Sequence, residues 1–261
     1  MQTAHNGTTA IQYDATGSGS ETVVFVGDVG FGPWQWGWQH RAVAGPFRAI
    51  VLNHRDVGAS GASTDQPDLE EFADDVAAVL ADAAVPRAHL VGAGFGGVVA
   101  LELAHRSGRI RSLTLLGSGL GDATPMAVFA PADDSAACRS TTHALLSRRF
   151  CDDQPDVVDR IAAWRAAEDA PRAVWEAQTA ALDRYDPPPL YEVTTPTLVV
   201  HGTDDTQWPV DAARALADGL PRGEFVPFEG AAHLVGVERS RPVNDRLVGH
   251  VESQAADADH G

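Results

Sequence analysis

Chemistry-bearing side chains in this sequence stand just after short apolar runs. Asp28 follows residues 22–26, Ser118 follows 110–116, Asp204 and Asp205 follow 196–200, and His233 follows 224–228. An imidazole moves protons near neutral pH, a carboxylate can orient it and keep it basic, and a serine becomes a nucleophile when a base takes its proton. A glycine-rich turn, Gly92-Ala93-Gly94-Phe95-Gly96-Gly97, follows the run at 88–91 and opens a helical stretch. Its Gly92-x-Gly94-x-x-Gly97 spacing is formally a dinucleotide-binding fingerprint. That fingerprint belongs on the first strand of a βαβ unit, with an acid at the end of the next strand. Here it lies on the fifth strand, and the next one ends Leu115-Leu116-Gly117 with no acid. A nicotinamide or flavin dehydrogenase is rejected, and no organic cofactor is implied. Cys138 and Cys151 are too few for a disulfide framework or a zinc site, so they read as unpaired thiols and no metal is implied. His54 and His201, at strand ends, read as structural.

The elements that must position these residues follow from hydrophobic patterning. The chain opens with a hairpin signal, residues 3–5 and 8–13 around Asn6-Gly7, where Asn-Gly supplies the two positive φ values of a tight I′ turn. Short continuous apolar runs at 22–26, 47–52, 88–91, 110–116, 196–200 and 224–228 read as strands covered on both faces. Between them, 68–84 carries Leu69, Phe72, Val76, Val79 and Leu80 at helical spacing, with acidic residues in its first turns. Residues 96–107, 210–220 and 237–251 also read as helices. Alternating buried strands and helices predict an α/β fold, a mostly parallel sheet covered on both faces. The rhythm breaks between Leu120 and Leu190, where helical stretches at 141–150, 155–168 and 171–182 precede a stiff Pro187-Pro188-Pro189 run. This insertion, 122–190, predicts a helical cap over a core made of 1–121 and 191–261. The tail from Ser253 reads as disordered.

Composition narrows the partners. The 261 residues, 44% hydrophobic, suffice for one sizeable core. Nineteen basic residues face 36 acidic ones, a net charge of −17. All 19 basic residues are Arg, Lys is absent, and Asp (25) outnumbers Glu (11). Such a surface repels phosphate backbones and anionic lipid, which argues against nucleic-acid and membrane partners and leaves a small-molecule partner. No apolar run reaches bilayer length, and residues 1–13 lack a signal-peptide pattern, so a cytoplasmic location is expected. Acid excess without Lys is the surface expected of a halophile's protein. The sequence does not indicate an oligomeric state.

Four local patterns in fixed order resemble the alpha/beta-hydrolase superfamily over essentially the whole chain. Gly27-Asp28-Val29-Gly30-Phe31-Gly32-Pro33-Trp34 follows the third strand, where that family usually has His-Gly and its first oxyanion-hole amide. Asn53-His54-Arg55-Asp56-Val57-Gly58-Ala59-Ser60 follows the fourth and is close to the family's Asp-x-Arg-Gly-x-Gly-x-Ser. Gly202-Thr203-Asp204-Asp205 with Pro209 resembles the loop of the catalytic acid, at Asp205, and Gly230-Ala231-Ala232-His233 with Glu238 resembles the catalytic histidine loop. The resemblance implies an alpha/beta-hydrolase fold with a cap, esterase- or lactonase-like. It also places Gly94 at the nucleophile position of the family's Gly-x-Ser-x-Gly turn. Glycine there closes the acyl-enzyme route of serine hydrolases and relieves a strained backbone that costs about 1–3 kcal/mol in other residues.

What the resemblance leaves is a partial machinery. Asp205 and His233 are expected to meet, either as a general base or as a satisfied pair with no chemistry. The amides of Phe95 and Val29 are expected to form the oxyanion hole. Asp28, in place of the family's His-Gly, puts a carboxylate beside the pocket that disfavours a developing anion unless turned away or protonated; its blander reading is a loop residue capping nearby amides. Trp34, Trp36 and Trp38 suit core and cap packing first and a pocket wall second, and Trp164 and Trp175 of the cap likewise. Three functions follow: a small-molecule enzyme using His233 and Asp205 without a serine; an inactive ligand- or partner-binding protein; or an ester hydrolase whose nucleophile lies elsewhere, Ser118 for instance, or was removed by engineering.

Overall fold

The computed structural model describes residues 1–61, 66–121 and 123–258. Eight strands form one sheet in the order β1-β2-β4-β3-β5-β6-β7-β8. They are β1 (Gln2–Asn6), β2 (Thr9–Thr16), β3 (Thr22–Val26), β4 (Arg48–Leu52), β5 (Ala88–Ala93), β6 (Ile110–Leu116), β7 (Thr197–Gly202) and β8 (Gly223–Phe228). β1 and β2 pair antiparallel, β2 pairs antiparallel with β4, and every other pairing is parallel. The hairpin turn differs from expectation by one residue. Asn6 pairs with Thr9, so the loop is Gly7-Thr8, and only Gly7 has positive φ, at 58°. One positive φ at the first loop position suits a II′ turn, which needs glycine there rather than Asn-Gly.

Helices cover both faces because the central strands bury both. All five residues of β3 are buried: Val24 and Val26 join one core layer, Val23 and Phe25 the other. The first layer meets α2 (Leu69–Asp82), α3 (Phe95–Arg106) and α8 (Val210–Gly219) through Phe72, Val76, Leu101 and Leu216. The second meets α1 (His40–Val43), α9 (Val235–Glu238) and α10 (Ser240–Ala258). Val243, Leu247 and Val251, four apart on α10, are fully buried. Each contributes at most about 1.5–3 kcal/mol of apolar burial. The single helix expected over 237–251 is therefore two, meeting at Arg239, whose φ of −121° leaves the helical region. The tail expected to be disordered from Ser253 continues α10 to Ala258, and 259–261 lie outside the described residues.

Between β6 and β7 lie α4 (Ser135–Ala144), α5 (Arg148–Asp153), α6 (Pro155–Glu168) and α7 (Arg172–Arg184). The helix expected over 141–150 divides because two caps compete for it. Asp134 accepts from the Ala137 amide and starts α4 early, and Ser147 accepts from the Phe150 amide and starts α5. The first residue of the expected insertion, 122, lies outside the described residues.

Candidate active site

Strand register brings two loops together. β3 and β5 are parallel neighbours with Val26 opposite Gly92, so two residues on, Asp28 and Gly94 leave the sheet edge side by side. Gly94 makes the turn from β5 into α3 at φ 47°, ψ −115°, a left-handed conformation that favours glycine. A Cβ on Gly94 would lie 2.2 Å from Asp28 Cγ and 2.1 Å from its Oδ1. The Asp28 carboxylate therefore fills the space into which a side chain at position 94 would project.

Its oxygens have separate partners. Asp28 Oδ1 accepts from the Val29 amide at 2.7 Å and the Phe95 amide at 2.8 Å. Asp28 Oδ2 lies 2.7 Å from His233 Nε2, and His233 Nδ1 lies 2.9 Å from Asp205 Oδ2. Asp205 Oδ1 accepts from the Gln207 and Trp208 amides, which fixes that carboxylate in turn. Asp28 and His233 are each 6% exposed and Asp205 8%. Burial pushes the His233 imidazole down, but Asp205 first and Asp28 second outweigh it and raise it to about 10. Burial likewise pushes the Asp205 carboxyl up, and the His233 charge and hydrogen bond bring it below its ordinary value. With a carboxylate at each ring nitrogen, His233 is an imidazolium donating to both.

The structure brings together Asp205, His233, Asp28, Gly94, Phe95 and Val29. It separates others. Ser118 is buried, and its hydroxyl donates to the Leu116 carbonyl and packs at Gly97, so it makes no hydrogen bond to His233. Trp34 and Trp175 are buried packing residues: Trp34 Nε1 donates to Asp169 Oδ1, and Trp175 meets Phe31 edge-on at 5.4 Å. Trp164 does line a cleft, of about 770 Å³, with Trp36, Trp38, Arg41 and Arg160. That cleft does not include His233. A second cavity of about 30 Å³ does, bounded by Asp28, His233, Trp36, Leu116, Gln39 and Val237, with room for a water or two. His54 and His201 hold backbone carbonyls, of Gly27 and Trp208.

The Asp28 loop is gripped from the helices that follow β6. The Gly30 amide donates to Gln178 Oε1 on α7 at 2.7 Å, and the Gly30 carbonyl accepts from the Ala170 amide at 2.7 Å. Asp28's own amide donates to Gln35 Oε1. Sequence reasoning missed Gln178, and it missed that Asp28 reaches His233. A signal existed for the last: Gly94, which has no side chain, and Asp28, which has a carboxylate, fall on loops after two buried strands.

These features define the class. The chain belongs to the alpha/beta hydrolase family, whose model matches residues 23–246. It is similar to "Putative carbamate hydrolase RutD" of Azorhizobium caulinodans, 26% identical over 265 residues, covering 95% of this chain and 97% of that one. The protein of the same name in Variovorax paradoxus is 34% identical over 212 residues, covering 72% of this chain and 76% of its own. Among solved structures, the enol-lactonase from Burkholderia xenovorans LB400 has the same fold. Its TM-score is 0.85 at 21% identity, covering 96% of this chain and all (100%) of that one. No helix among the described residues is long and apolar enough to cross a membrane.

Proposed function

We propose that this protein is a small-molecule hydrolase that works without a serine nucleophile. Gly94 stands at the nucleophile position, and His233, oriented by Asp205, delivers water. The Val29 and Phe95 amides, which hold Asp28 Oδ1, stabilise negative charge that develops on that oxygen, and residues 122–190 act as a cap over the pocket. The observation that carries this reading is the unbroken chain Asp205–His233–Asp28 with both amides trained on Asp28 Oδ1. A relic has no need to keep all five groups aligned within hydrogen-bond distance, and the buried charges cost stability unless paired. The names of the carbamate hydrolase relatives favour hydrolysis of a small molecule in general terms.

The test is a panel of hydrolysable bonds, p-nitrophenyl acetate, ethyl carbamate and bromoethane, offered to the wild type and to His233→Ala. Turnover of at least one compound, lost in the variant, is expected. Silence on all three, or turnover indifferent to His233, contradicts the reading.

A second reading has its own observation. The 770 Å³ cleft walled by Trp36, Trp38 and Trp164 lies apart from His233. A binding protein would use that cleft. A ligand that raises the melting temperature, is not turned over, and loses its effect in Trp164→Ala distinguishes this reading.

A further inference from the structure

We propose that Asp28 is a nucleophile that attacks a small sp³ carbon bearing a leaving group, and that the water delivered by His233 hydrolyses the resulting Asp28 ester. This rests on the hydrolase reading above and deepens it by naming the attacking atom and the substrate class. The geometry carries it. Asp28 comes from the loop after β3, yet its carboxylate fills the place of a side chain at Gly94. Oδ1 lies in the crook of the Val29 and Phe95 amides, Oδ2 meets His233 Nε2, and Asp28 and His233 both border the 30 Å³ cavity.

The same geometry selects the substrate. Both oxyanion amides are taken by Asp28 Oδ1, so a substrate carbonyl finds no donors for a developing oxyanion. Attack at an sp³ carbon develops no such charge. The cavity's Trp36, Leu116 and Val237 walls suit an alkyl group of one or two carbons. The amides then serve the second half of the reaction, because the ester carbonyl oxygen is Oδ1 itself and already faces two N–H donors.

The bonds balance as follows. Asp28 Oδ2 forms a bond to carbon as the carbon–leaving group bond breaks, giving an alkyl ester and the departing anion. Esterification removes one of the two negative charges that hold His233 protonated, so His233 gives up its proton to solvent and becomes a base. It takes a proton from water as the hydroxide adds to Asp28 Cγ, and the tetrahedral oxyanion on Oδ1 is held by Val29 and Phe95. Collapse expels the alkoxide, which takes the proton from His233 and leaves as the alcohol. The regenerated Asp28 acid passes its proton to His233. The sum is alkyl halide plus water giving alcohol, halide and one proton.

The test uses the whole protein and bromoethane in H₂¹⁸O, with protein in excess so that each site turns over once. The expected result is ¹⁸O in the Asp28 peptide and unlabelled ethanol, because the alcohol oxygen comes from the carboxylate. In His233→Asn the ethyl ester is expected to accumulate on the Asp28 peptide, and in Asp28→Asn no adduct forms there. Label in the ethanol with none in Asp28 overturns the proposal and leaves the hydrolase reading standing. An ester trapped in His233→Asn with no wild-type turnover supports the nucleophile and removes the hydrolase reading. His233-dependent turnover of p-nitrophenyl acetate that survives Asp28→Asn, with bromoethane inert, overturns the proposal alone. The labelling arm needs no variant, so a misfolded substitution does not protect the idea.

Discussion

At the scale of residues, the unusual feature is a pair of positions rather than one. Gly94 lacks the side chain that Asp28 replaces, and each makes sense only with the other. A Cβ at 94 would collide with Asp28 at 2.1–2.3 Å, and φ of 47° adds strain for any L side chain. Gly94→Ala is therefore expected to lower stability by about 1–3 kcal/mol, read by urea unfolding, and an unchanged midpoint contradicts the packing. His233 carries the electrostatic consequence. Its folded value, raised to about 10 from an ordinary 6.5, contributes stability that is fully present below about 6.5. That contribution is lost as pH rises through about 10. Melting temperature measured from pH 6 to 11 should fall over that window in the wild type and fall less in Asp28→Asn, where one carboxylate is gone. Identical slopes in the two proteins would show that Asp28 does not hold the imidazolium.

At the scale of elements, the α6–α7 corner fixes the Asp28 loop, and Arg165 fixes the corner. Arg165 is 1% exposed, donates to Asp169 Oδ2 at 2.9 Å and to the Val128 carbonyl, and Asp169 in turn holds Trp34. Arg165→Met removes one partner of a buried pair and is expected to cost about 3–5 kcal/mol in chemical denaturation; a loss below about 1 kcal/mol contradicts the account. Much of the element structure was legible from spacing. Leu69, Phe72, Val76 and Val79 placed α2, and the continuous apolar runs placed the parallel strands. What spacing could not show was set by competition between local signals or by tertiary contacts. Asp134 and Ser147 split one expected helix into two, and Gly7 alone closed the hairpin. At the site, Asp205, His233, Phe95 and Val29 could be placed from their loops. Asp28 could be named but not aimed, because its direction depends on the β3–β5 register and on a rotamer that fills the space beside Gly94. Ser118 stands near the same sheet edge but off the Gly94 turn, and its hydroxyl turns to the Leu116 carbonyl.

At the scale of the whole molecule, charge and site pull in different directions. A net charge of −17 with no Lys repels itself in dilute buffer, while the buried Asp205–His233–Asp28 chain is shielded from salt. Raising KCl from 0.1 M to 1 M shortens the screening length from about 10 Å to about 3 Å and is expected to raise the melting temperature. A flat or falling melting curve with salt contradicts a halophilic surface. The central claim is the proposal that Asp28 fills the place of a nucleophile at position 94 and holds the Val29 and Phe95 amides, and introducing a serine at 94 tests it most directly. Hydrolysis of p-nitrophenyl acetate is compared for Gly94→Ser alone and for Gly94→Ser combined with Asp28→Gly. The single variant is predicted to stay at background because Asp28 blocks the hydroxyl and occupies both amides, and the double variant is predicted to gain His233-dependent turnover. Ester hydrolysis by Gly94→Ser alone, as fast as by the double variant, would contradict the account.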